Sequence, residues 1–220
     1  MKNPNTYGLR SILLFLFLLM TFLLGLTCTQ QASKNGNTVV IGITSDFDSL
    51  NELNASDADA IQVISKMLFM TLTRLDKNLQ FKPYLAKHWE FSVNNETVTF
   101  YLRDDIYWSD GVKTTTRDVL FTLETMMNPE VAYSAASRFD LVKEVKVIND
   151  STIRFHLKHA YPDVLFDLQF PILPEHILGD LSADDVLTSN FNRQPICNGP
   201  FILQSWEANK AVYFEANKNF

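Results

Sequence analysis

A chain of 220 residues, 46% hydrophobic and 12% aromatic, carries enough apolar side chain to bury a sizeable core, which excludes general disorder. Nineteen basic against 25 acidic residues leave a net charge of −6, and such a chain has no electrostatic footprint for nucleic acid. Two cysteines cannot build a disulfide framework, and seven scattered glycines offer no phosphate-cradling loop.

In chain order, residues 1–27 read as an export signal. Lys2 and Arg10 form a cationic start, residues 12–26 are apolar except for Thr21 and Gly25, and no charge occurs from Ser11 to Ser33. That apolar run is shorter than the about 20 residues a membrane span needs and fits a signal-peptide core. Cys28 follows at once and opens a polar tether over residues 28–37. An apolar run, one cysteine and a polar tether resemble a bacterial lipoprotein signal, in which the cysteine is acylated and anchors the chain to the membrane. Gly25-Leu26-Thr27 departs from the usual lipobox, which has Leu first and Gly or Ala last. A signal that is simply cleaved, and an uncleaved anchor helix, therefore stay open beside lipidation at Cys28.

The body alternates strands and helices. Residues 38–43 are β-branched and apolar and predict a buried strand. Residues 57–71 place Ile61, Ile64, Met67, Leu68 and Thr71 at helical spacing. Over residues 96–103, Val98, Phe100 and Leu102 alternate with Thr97, Thr99, Tyr101 and Arg103, the pattern of a half-buried strand. Trp108-Ser109-Asp110-Gly111 is a turn signature. Thr115 and Asp118 form a capping box for a helix that must stop at Asn128-Pro129. Residues 152–158 alternate again, Ser182 and Asp185 suggest another helix cap, and residues 201–206 and 211–216 read as a hairpin.

The order and wording of these segments resemble the family 5 extracellular solute-binding proteins of ABC transporters, which include oligopeptide-, dipeptide- and nickel-binding members. The strongest match runs from Phe100 to Asp118, where Phe-x-Leu-Arg, Trp-x-Asp-Gly and Thr-x-x-Asp-Val follow in the family's order. Leu72-Thr73-Arg74-Leu75-Asp76, Pro83-x-Leu85-Ala86-x-x-Trp89, residues 150–155, residues 173–177 and Asn198-Gly199-Pro200-Phe201 with Trp206 support it. The resemblance implies an α/β fold, the first lobe of a periplasmic-binding-protein-like clamp (type II, cluster C), with mixed sheets and flanking helices and the second lobe missing. It divides the chain into a first lobe-one segment (38–74), a small inserted α/β domain (75–168) and an incomplete return to lobe one (169–220). On this expectation the chain is a fragment of a longer clamp, or a truncated product.

The function so implied is capture of a peptide or similar small solute outside the cytoplasmic membrane and its delivery to the permease subunits of an ABC importer. No catalysis, cofactor, metal or nucleic-acid partner is expected. Residues 55–59, with Ser56 and Asp57, resemble a cleft-lining stretch, as do residues 132–138, with Tyr133 and Ser137. Each has a plainer reading. Asp57 and Asp59 suit the cap and first turn of the following helix. Tyr133 suits packing between subdomains, Trp89 and Trp108 suit the core, and Cys197 suits a lone buried thiol. A Cys28–Cys197 disulfide would compete with lipidation. The four histidines show no metal-ligand spacing.

An enzyme is the rival class, but the adjacent pairs Asp104-Asp105 and Asp184-Asp185 point apart on a strand, and no nucleophile elbow occurs. A degenerate binding protein, or an envelope lipoprotein with a structural or adhesion role, would explain the signal without the ordered motif string.

Overall fold

The computed structural model describes residues 37–220. The export signal, Cys28 and the tether up to residue 36 lie outside the described residues. The chain divides into two compact units, Met1–Gly42 and Ile43–Phe220.

Residues 38–43 do not form the expected strand. Val39, Val40 and Ile41 are 85%, 89% and 75% exposed. β-Branched propensity alone does not hold an extended segment; a strand needs a neighbour to complete its ladder, and no described strand supplies one.

The second unit begins with an acidic loop over residues 45–57. Helix α1 (Ala58–Val63) is capped by Asp57 and passes directly into a π-helical turn, Ile64–Leu68, closed by Phe69 N–H to Ile64 C=O at 3.0 Å. The predicted helix over 57–71 thus ends early, with Phe69 already extended. Strands β1 (Thr73–Leu75) and β2 (Phe81–Pro83) form a small antiparallel pair.

The main sheet is antiparallel throughout. It consists of β3 (Ala86–Phe91), β4 (Thr97–Leu102), β5 (Val142–Asn149) and β6 (Thr152–Leu157), in the order β3-β4-β6-β5. β4 and β6 are central, and their register sets Val98 opposite Phe155 and Phe100 opposite Ile153. Val98, Phe100, Ile153 and Phe155 are fully buried, and the rings of Phe100 and Phe155 meet edge to face at 5.7 Å. One outward position departs from the predicted alternation: Thr99 is buried, because Arg154 lies across it and donates from Nε to its hydroxyl at 3.1 Å.

Helix α2 (Thr116–Met127) starts at the predicted capping box. Thr115 N–H donates to Asp118 Oδ2 at 2.7 Å, and Arg117 N–H donates to Thr115 Oγ1 at 3.2 Å. The helix buries Val119, Leu123 and Met126 and ends at Asn128, before Pro129. A 3₁₀ turn (Ala136–Phe139) leads back into β5. After β6 come three short helices, α3 (Val164–Asp167), α4 (Glu175–Leu178) and α5 (Ala183–Thr188), the last capped by Ser182 as expected, and a 3₁₀ turn (Asn190–Asn192). The hairpin β7 (Phe201–Glu207) and β8 (Ala211–Ala216) closes the chain.

Two motifs from the resemblance act as joints. In the turn at 108–111, Gly111 takes φ +90°, Trp108 is fully buried, and Ser109 and Cys197 exchange hydrogen bonds at 2.7 and 3.1 Å. The Cys197 thiol is buried, which pushes its pKa up to about 12, so it is inert as a nucleophile. At Asn198-Gly199, Met70 N–H donates to Asn198 Oδ1 at 2.9 Å and Gly199 N–H to Leu68 C=O at 2.8 Å. No helix among the described residues is long and apolar enough to cross a membrane.

Candidate functional site

The loop over residues 45–57 is organised around one carboxylate. Asp48 Oδ2 accepts from Ser56 N–H and Ser56 Oγ, both at 2.6 Å, and from Asp57 N–H at 3.1 Å, while Oδ1 accepts from Ser49 N–H at 2.8 Å. Burial pushes the Asp48 carboxyl up, but these bonds from Ser56, Ser49 and Asp57 outweigh it and hold it below the ordinary carboxylate range. The effect is to fold residues 48–56 into a closed ring just ahead of α1.

Distant segments pin that ring. Asp46 accepts from Trp206 Nε1 and from Asn209 N–H, each at 2.9 Å. The Asn209 bond is the largest influence in lowering the pKa of Asp46. Arg193 stacks 4.0 Å over the Trp206 ring, and Phe47 meets that ring edge-on at 5.9 Å. On the other side, Leu50 N–H donates to Asn192 C=O, Asn51 Nδ2 to Asn192 Oδ1 and Asn54 Nδ2 to Leu187 C=O, at 2.8–2.9 Å.

Tyr133 brings the second candidate stretch to this loop. Its Oη donates to Glu52 Oε1 at 2.8 Å. Burial raises the Glu52 carboxyl above its usual range, opposed by the Tyr133 bond and the charge of Arg138. Burial, together with the neighbouring Glu52, also holds Tyr133 firmly protonated. Glu52 Oε2 is buried with no partner among the described residues. Arg138 donates from Nη2 to Phe166 C=O at 2.7 Å, tying the same stretch to α3.

The structure therefore gathers Ser56, Asp57 and Tyr133 around one loop. Ser137 stands exposed on the 3₁₀ turn, with no hydrogen bond to that loop. Asp57 takes its cap position, with Oδ1 accepting from Ala60 N–H at 2.9 Å and Oδ2 from Ser45 Oγ at 3.2 Å. The hydrogens of the Ser56 and Tyr133 hydroxyls are both committed to carboxylates, so what these groups still offer is oxygen lone pairs. The loop presents acceptors: Ser56 Oγ, the free lone pairs of Asp57, and Tyr133 Oη beside a flat ring.

Sequence reasoning missed Asp46, Asp48, Glu52 and Asn51, which shape the site. Ser45-Asp46-Phe47-Asp48-Ser49 has turn composition, but nothing in it shows that Asp48 reaches eight residues forward and Asp46 to the final hairpin. Among the described residues no group of three or more His, Cys, Asp or Glu side chains is placed to hold a metal ion.

Residues 80–220 match the family described as bacterial extracellular solute-binding proteins, family 5 middle. Protein XP55 of Streptomyces lividans is 32% identical over 86% of this chain and 33% of its own length. The oligopeptide-binding protein AppA of Bacillus subtilis is 27% identical over 100% of this chain and 42% of its own. Among solved structures, NikZ of Campylobacter jejuni, in complex with Ni(L-His), superposes with a TM-score of 0.71 at 35% identity, covering 83% of this chain and 35% of that one. The chain thus spans between a third and about two-fifths of these proteins. They mark a binding-protein fold of mixed α/β type, and the homologues are substrate-binding proteins rather than enzymes.

Proposed function

Because this chain belongs to the family 5 bacterial extracellular solute-binding proteins, we propose that the whole protein captures a peptide or similar small solute outside the cytoplasmic membrane and delivers it to the permease of an ABC importer. Within it the present residues form the first lobe, divided as 38–74, 75–168 and 169–220, and Cys28 carries the lipid anchor.

The observation that carries the peptide reading is the acceptor-rich loop. A peptide backbone offers N–H groups and a terminal ammonium, whereas Ser56 Oγ and Tyr133 Oη have their own hydrogens committed to carboxylates and the Asp57 carboxylate is acceptor-only. Ser137 and the Tyr133 ring would line the same wall. Burial of a flat aromatic face against varied side chains gives affinity with little sequence selectivity. The relatives divide between an oligopeptide-binding protein and a structure holding a nickel–histidine complex, so the experiment must separate these ligands.

Thermal melts of the full-length protein with short peptides, nickel–histidine and sugars make that separation. A peptide at a hundredfold over its Kd adds about 2.7 kcal/mol of stability, an unmistakable shift. Absence of any shift with peptides, alongside one with nickel–histidine, overturns the peptide assignment. For the anchor, Cys28→Ala releases the protein from membranes; retention would favour an uncleaved helix.

A further inference from the structure

A separate concavity lies away from the acidic loop, where the π-helical turn, β1 and the residues flanking the main sheet converge. Ser65, Lys66, Thr71, Arg74, Leu75, Tyr84 and Gln169 line a cavity of about 210 Å³, below the about 300–1,000 Å³ of sites for drug-sized ligands. Its only charged walls are cationic, on a chain whose net charge is −6.

Neither cation is neutralised. The ion pairs among the described residues join Lys82 to Asp76, Arg103 to Asp105, Lys146 to Glu144, His176 to Asp110 and Lys210 to Glu207, and none involves Lys66 or Arg74. Arg74 also stands directly opposite Lys82 in the β1–β2 register, a like-charge cross-strand pair that is destabilising. Asp76 pairs with Lys82 and not with Arg74, and its Oδ1 accepts from the N–H groups of Asn78 and Gln80. The Arg74 guanidinium is held 5.1 Å over the Tyr84 ring, which orients its fork while leaving its N–H groups free.

The polar residues of the lining differ in what they have left to offer. Thr71 Oγ1 and Gln169 Nε2 already donate to Thr73 C=O. Ser65 Oγ and Tyr84 Oη engage no described residue, so the lining carries two unengaged hydroxyls beside two cations.

We propose that this cavity is a binding site for a small oxyanion, a phosphate or a compact carboxylate, held by Arg74 and Lys66 with hydroxyl donation from Ser65 and Tyr84. Arg74 supplies the bidentate contact and Lys66 a point charge. The site stands on elements other than the acidic loop and does not depend on what the protein transports.

Calorimetric titration of the full-length protein with inorganic phosphate and with citrate, at constant ionic strength, tests it. Saturable one-to-one binding of at least one of them is expected. Phosphate alone identifies a tetrahedral oxyanion site, citrate alone a carboxylate site. Arg74→Gln should weaken binding about tenfold or more, with Lys66→Gln smaller in effect and Lys87→Gln, on exposed β3 surface outside the cavity, without effect. Each variant's melting curve verifies that it is folded, and retained peptide binding keeps the result apart from the transport reading. No saturable binding of either anion, or equal weakening by Arg74→Gln and Lys87→Gln, overturns the proposal.

Discussion

Tyr133 and Glu52 show how a single hydroxyl decides the state of a buried carboxyl. With Oε2 already unpartnered, Tyr133→Phe leaves the whole Glu52 group without a donor. A cost of about 1–3 kcal/mol in urea unfolding is expected, and Tyr133→Phe combined with Glu52→Leu should recover most of it, since removing both partners removes the stranded charge. The carboxylates of this chain also titrate in opposite senses. Asp48 and Asp110 lie below the ordinary range; for each, burial raises the pKa, but hydrogen bonds prevail, from Ser56 to Asp48 and from His176 to Asp110. A lowered folded pKa means stability that is present above the unfolded value of about 3.9 and lost as pH falls through the folded one. Glu52 and Asp118 are raised by burial, so their contribution is present at low pH and lost as pH rises through their folded values. Melting temperature should therefore fall on acidification below about pH 4, and Asp48→Asn should flatten that limb. An unchanged limb would show that Asp48 is not caged.

Between elements, Gly199 marks a close approach. A Cβ there would sit 2.6 Å from Met67 O and 2.7 Å from Leu68 C and O, all backbone atoms of the π-helical turn. Gly199→Ala must push the turn and the start of β7 apart, at a cost of about 1–3 kcal/mol, measurable by denaturant unfolding. Asp118→Ala removes the acceptor of Thr115 N–H and of Glu175 N–H together, uncoupling the start of α2 from α4. A loss of about 2 kcal/mol or more is expected, and Asp118→Asn should restore part of it. Local chemistry made that capping box, β4, β6 and the final hairpin legible in the sequence, because each has its own alternation or cap. β3 and β5 were not legible. They are the edges of the sheet, and register shifts between Ala86 and His88 in β3, and at Val142/Glu144 and Val147/Asn149 in β5, break the period of two. Residues 38–43 failed in the opposite way, since their β-branched run states a propensity without stating a partner. Of the site, the caps at Asp57 and Ser182 could be read from neighbours in sequence, whereas Asp46 and Asn51 work through residues more than 130 positions away.

At the scale of the molecule, the hairpin β7–β8 is one of the distant anchors of the acidic loop. Trp206→Phe keeps an aromatic ring beside Phe47 but deletes the donor to Asp46. It should cost about 1 kcal/mol and speed hydrogen exchange at residues 46–57 more than in the main sheet; uniform exchange would mean that the loop holds itself. The arrangement also has a consequence in time. Asp46 waits for Trp206 and Asn209, 160 and 163 positions downstream. Ribosomes adding about 5–20 residues per second need roughly 10–30 s to cover that distance. For that interval the loop has only the bonds of Asp48 within residues 48–57 and, as they emerge, those from Tyr133, Leu187 and Asn192. The first loop of the second unit is thus completed among the last of its parts, once the hairpin has been made.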